Sequence, residues 1–102
     1  MKLLTSSLLR RFREVARQDE ADDPLVIAKF FTPDGQWTWY ATEFDESEQM
    51  FFGLVVGFEA ELGYFSLAEL ESIRGLLGLP VERDLYFDEC QLSKLYTSTG
   101  LV

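Results

Sequence analysis

Histidine is absent from this 102-residue chain and cysteine occurs once, as Cys90. The first absence removes Ser-His-Asp relays, histidine-ligated zinc and the side chain that most often serves as a base near neutral pH. The second leaves no internal disulfide, no CxxC redox pair and no zinc ribbon within one chain. The ordinary account of Cys90 is a partly buried thiol without chemistry. Basic side chains are also scarce, 9 against 18 acidic, and the net charge of −9 opposes nonspecific contact with nucleic acid or anionic membrane. The glycines at 53, 57 and 63 fit neither G-x-x-x-x-G-K-[ST] nor G-x-G-x-x-G, so nucleotide binding has no support. No apolar run is long enough to span a bilayer. The opening "MKLLTSSLLRRF" is cut by Thr5 to Ser7 and by Arg10-Arg11, well short of a signal-peptide core. The expectation is a cytoplasmic chain with no cofactor, no metal-ligand set and no membrane contact.

What is present is apolar and aromatic. Hydrophobic residues make up 47% of the chain and aromatics 15%, enough for one packed domain over residues 1–102. Charge is distributed unevenly. Residues 1–18 carry Lys2, Arg10, Arg11, Arg13 and Arg17 against Glu14, a local +4, which leaves −13 for residues 19–102.

Leu4, Leu8, Phe12 and Val15 recur at helical spacing behind Thr5, a suitable N-cap, and predict a helix over 5–17. "RQDEADDP" is an acidic connector, ended by a proline that disfavours helix at Asp23. "LVIAKFFT" (25–32), the turn "PDGQ" and "WTWYATEF" (37–44) predict a hairpin. Strict alternation places Trp37, Trp39 and Ala41 on a core face, and Thr38, Tyr40 and Thr42 on the opposite, open face. "MFFGLVVGF" (50–58) is apolar throughout and predicts a central strand, with Gly53 and Gly57 permitting close approach or a bulge. "EAELG" is expected to be a turn and "YFSL" a short strand or helix entry. Ser66 and Glu69 form a capping box for a helix over 67–74, stopped by Gly75. "VERDLYF" is the last predicted strand, "CQLSKLYTS" a final helical turn, and "TGLV" a fraying tail. The fold class is therefore α+β: an antiparallel β-meander of about four strands with helices packed on one face.

The runs "KFFTPDGQWTWYATEFD" and "FFGLVVGFEAELGYFSLAELESIRGLLGLPVERDLYF", with the opening "KLLT", resemble an uncharacterised bacterial family, domain of unknown function 2958, over roughly residues 25–95. Members similar to this chain are typically encoded on plasmids and other mobile elements, sometimes beside antirestriction or DNA-processing proteins. The resemblance implies no catalytic residue and no cofactor. The loop "ESEQM" is shorter here than in many relatives.

Three functional readings remain. In the first, the chain is a noncatalytic acidic module of a mobile element, of antirestriction or DNA-mimic type. It binds a basic surface on a protein partner through Asp45, Glu46, Glu48, Glu59 and Glu61, with Tyr40 as an aromatic anchor. In the second, Glu59, Glu61, Glu69, Glu71, Glu82 and Asp84 supply a metal-dependent carboxylate enzyme or an accessory domain of a DNA-processing enzyme; three carboxylates meeting in a cleft would favour it. In the third, the basic first helix binds DNA or an acidic partner. Against all three stands ordinary solvated charge. Arg83 is expected in an ion pair with an acidic neighbour, and Lys29 as a charge guarding an edge strand.

Overall fold

The computed structural model describes residues 1–99, with the side chains of 97–99 left aside. Helix α1 (Ser6–Val15) begins where the sequence places it. The Thr5 hydroxyl accepts a hydrogen bond from the Leu8 N–H (3.3 Å), satisfying one of the unpaired donors of the first turn, and Leu8 and Phe12 form the buried stripe. Strands β1 (Leu25–Val26), β2 (Ala28–Phe31), β3 (Thr38–Asp45), β4 (Met50–Val56) and β5 (Ala60–Ser66) follow, then helix α2 (Leu67–Ser72), β6 (Glu82–Arg83), β7 (Cys90–Gln91) and helix α3 (Leu92–Thr99). The predicted α+β class is the observed one. Its main sheet is antiparallel with five strands in the order β5-β4-β3-β2-β6, and β1 pairs with β7 in a separate two-stranded ribbon. Residues 25–32 therefore form two short strands instead of one, with the Ile27 N–H bonded to the Ala41 carbonyl between them.

The sheet is covered on both sides. On the first face, α1 and α2 contribute Leu8, Phe12 and Leu70, which pack with Phe30, Trp39, Phe51 and Phe65. Phe51 is wholly buried and its ring meets those of Phe12, Phe30, Phe44 and Phe65 at centroid distances of 4.6 to 5.8 Å. On the second face, Leu92 and Leu95 of α3 pack with Val26, Tyr40 and Leu54. The expectation that all helices lie on one face is corrected by α3. The chain was read as ending in a single helical turn, but β7 pairs with β1 and launches a further helix against the second face. Of the fraying tail expected over residues 99–102, Thr99 ends α3 and residues 100–102 lie outside the described residues.

Strand β3 holds a second departure. Pairing with β4 runs Ala41 to Gly53 and then Glu43 to Phe52, so Thr42 is an inserted residue whose hydroxyl donates to the Phe52 carbonyl. The bulge brings Phe44, an even-numbered residue, onto the face of Trp39 and Ala41. A Cβ at Gly53 would overlap the Tyr40 carbonyl, so the close approach expected of that glycine is real. Helix α2 opens on the predicted capping box, with Ser66 accepting from the Glu69 N–H at 2.9 Å, but ends at Ser72, before Gly75. Lys29 lies in β2, flanked on both sides by β3 and β6, not on an edge; it pairs with Asp84 at 3.6 Å. Arg83 instead donates to the Thr5 hydroxyl at 3.4 Å. No helix among the described residues is long and apolar enough to cross a membrane.

Candidate functional site

The residues expected to bind a partner separate into three places. Tyr40 is 92% covered, packed among Val26, Leu54 and Phe87, and burial pushes its phenol pKa up. The open face predicted for it is closed by α3, so Tyr40 is corrected from an exposed anchor to a core residue. Asp45, Glu46 and Glu48 occupy the β3–β4 turn. There, one Asp45 oxygen accepts from the Ser47 hydroxyl (2.7 Å) and from the N–H groups of Ser47 and Glu48, as an Asx turn does. The Ser47 hydroxyl is the main reason the Asp45 carboxyl stays below its ordinary pKa. Glu46 is held by Arg13 in a two-pronged contact at 2.7 and 2.9 Å, which lowers the carboxyl pKa and raises that of the guanidinium.

Glu59 and Glu61 lie at the other end of β4, roughly 20 Å away along a strand of this length. Among the described residues neither carboxylate has a hydrogen-bond or ion-pair partner. They line a shallow pocket of about 290 Å³ together with Trp37, Val55 and Phe58. Trp37 and Phe58 also form one wall of a larger cleft of about 890 Å³, lined further by Trp39, Ile73, Leu76 and Glu69. The two tryptophans stack at 6.2 Å and Phe58 stands edge-on to Trp37 at 5.9 Å. Trp39 is buried as predicted, but Trp37 is 40% exposed and Phe58 97% exposed. Trp37 precedes β3, beyond the cover of the first core, so its ring forms the rim of the cleft instead of joining that core.

Two glycines make this geometry possible. Gly57 lies under the Trp37 ring, where any Cβ would overlap it. Gly75 lies against the Asp34 carboxylate, which would likewise meet a Cβ. The second Asp34 oxygen accepts from the N–H groups of Leu77 (2.6 Å) and Leu79 (3.2 Å), tying the β2–β3 turn to the loop after α2. That loop exposes Leu76 at 95% and Leu77 at 81% beside the cleft. Arg74 lines the cleft too, and its guanidinium donates to the carbonyls of Glu71 and Ile73, where α2 ends. The result is an apolar recess with Asp34, Glu59, Glu61 and Glu69 around it, and Arg74 as its cation.

Both Glu59 and Glu61 are exposed, but the turn expected over "EAELG" is corrected to the start of β5 from Ala60 onward, and Phe58, Ile73, Leu76 and Asp34 were not foreseen at the site. "GLLGLP" carried a signal for Leu76 alone: three leucines within a glycine- and proline-marked loop, too short and irregular for a core helix. Among the described residues no group of three His, Cys, Asp or Glu side chains could hold a metal ion. The three-carboxylate metal cluster that would favour the enzyme reading is thus not found among those residues. The basic helix is also largely engaged, since Arg11 pairs with Glu89 at 2.8 Å, Arg13 with Glu46, and Arg17 with Asp19 at 3.6 Å. Cys90 is half-buried, and burial raises its thiol pKa.

No curated protein and no solved structure matches the chain. The sequence profile of a family described as a protein of unknown function, DUF2958, matches residues 2–99, and the chain belongs to that family.

Proposed function

We propose that the chain is a noncatalytic interaction module that binds a basic surface on a protein partner, in the cytoplasm of a host carrying a mobile element. The observation that carries this reading is the aromatic cleft of Trp37, Trp39 and Phe58 with unpaired carboxylates beside it. An apolar recess supplies short-range affinity, because burying rings and leucines from water is favourable by about 25 cal/mol per Å². The surrounding negative charge, within a net charge of −9, steers a basic partner and disfavours duplex DNA itself. A surface of this sign competes with DNA for a DNA-binding protein, which is the antirestriction or DNA-mimic version of the reading. That version fits the mobile-element setting that the family resemblance implies.

Capture of host proteins on the tagged chain, at low and high salt and with duplex DNA as competitor, tests the proposal. The expected result is a basic DNA-binding or restriction protein held at low salt, released at high salt and displaced by DNA. Retention of nothing at low salt, or of a protein indifferent to both salt and DNA, would overturn it.

A further inference from the structure

Strand β5 ends the five-stranded sheet, with β4 as its one neighbour among the described residues. It pairs with β4 over all seven residues without a bulge, and it contains no proline and no lysine, two of the usual means of blocking an edge. The direction of its free groups follows from the ladder. The Leu67 N–H bonds to the Gln49 carbonyl, in register with the pairing of Ser66 and Met50. Hydrogen-bonded pairs alternate in an antiparallel ladder, so the bonded residues of β5 are Glu61, Gly63 and Phe65. The N–H and C=O groups of Ala60, Leu62 and Tyr64 therefore point away from the sheet. Their side chains lie on the face opposite α1 and α2, where Leu62 is 54% and Tyr64 70% exposed and the Tyr64 ring meets Phe52 at 4.8 Å. Glu61 alternates onto the other face, with Glu59 just before the strand.

From this edge we infer that the chain receives a strand of its partner, which extends the main sheet beside β5 and alternates apolar with basic residues. The backbone groups of Leu62 and Tyr64 supply the hydrogen bonds. Apolar partner side chains cover Leu62, Tyr64 and Phe52, and basic ones on the alternate face meet Glu61 and Glu59. A second copy of this chain would bring another charge of −9 to the same edge, which disfavours self-pairing relative to a basic strand. The inference rests on the interaction-module reading and adds the mode of binding to it.

The test uses a blocked heptapeptide alternating valine and lysine, with a valine and glutamate peptide as control, and follows amide hydrogen exchange by NMR on the intact chain. The lysine peptide is expected to slow exchange at the Leu62 and Tyr64 amides, and the glutamate peptide to leave them unchanged. Leu62→Pro, which removes an outward N–H at a position where an edge strand accepts proline, is expected to weaken the lysine peptide roughly tenfold or more, while Leu62→Thr preserves binding. Binding that perturbs Trp37 but leaves both amides exchanging as before would overturn strand addition and keep the module reading, with the cleft as its site. Failure of the lysine peptide to bind also overturns strand addition, and the lysate capture then judges the module reading by itself. The exchange result on the unaltered chain holds whether or not Leu62→Pro folds.

Discussion

The two ends of strand β4 both carry acidic loops, and they use their charge differently. At the β3–β4 turn two of the three carboxylates are consumed by the fold, Asp45 by its own turn and Glu46 by Arg13 of α1, while that of Glu48 is exposed and has no partner among the described residues. At the β4–β5 end Glu59 and Glu61 have no partner among the described residues and lie next to exposed aromatic rings. Acidic composition alone cannot separate these roles. What separates them is whether a donor lies within reach, and the basic helix supplies donors at only one end.

The comparison breaks most readily in the core that supports both ends. Phe51→Ala removes a fully buried ring touching four others and is expected to cost about 3–5 kcal/mol, measured by urea unfolding. Tyr64→Ala, one residue from Phe65 on the exposed side of the same sheet, should cost under about 1 kcal/mol. Next in size is Gly57→Ala, which forces the Trp37 ring aside; the expected loss is about 1–3 kcal/mol with a shift of tryptophan emission, since the cleft wall moves.

A smaller effect is expected at the β3–β4 end as pH falls. The folded Asp45 and Glu46 carboxyls titrate below their unfolded values, because of the Ser47 hydroxyl and the Arg13 guanidinium respectively. A depressed folded pKa stabilises the fold above the unfolded pKa, near 4 for such groups, and the contribution is lost as pH falls through the folded value. Stability from urea unfolding should therefore decline below about pH 4. Asp45→Asn with Glu46→Gln should lower stability at pH 7 and flatten that decline. Glu59→Gln with Glu61→Gln removes no hydrogen bond or ion pair found among the described residues and should leave stability at pH 7 nearly unchanged.

Much of this was legible in the sequence. The Thr5 cap, the Ser66 to Glu69 box and the meander of β2, β3 and β4 each follow from local chemistry or strong apolar pattern. Strand β5 was not: "EAEL" does alternate Ala60 and Leu62 with Glu59 and Glu61, but both faces of this first half are solvated, so no buried stripe marks it as a strand and "EAELG" reads as a turn. The Thr42 bulge left a trace in the shift of aromatic phase from Trp39 to Phe44, although strict alternation passed over it. Tyr40 was misplaced for a longer-range reason: its cover comes from α3, more than fifty residues away, and no local pattern reports that contact. The cleft was hardest to foresee, since Trp37, Phe58 and the pair Ile73 and Leu76 come from three separate segments.

The most direct test of the account compares capture of a host partner by two charge-matched variants, Glu59→Arg with Glu61→Arg and Glu46→Arg with Glu48→Arg, each checked for folding. The account predicts that the first variant loses the partner while the second retains it. Equal loss in both would show that net charge, not the β4–β5 end of the sheet, governs binding, and would contradict the distinction between the two acidic ends.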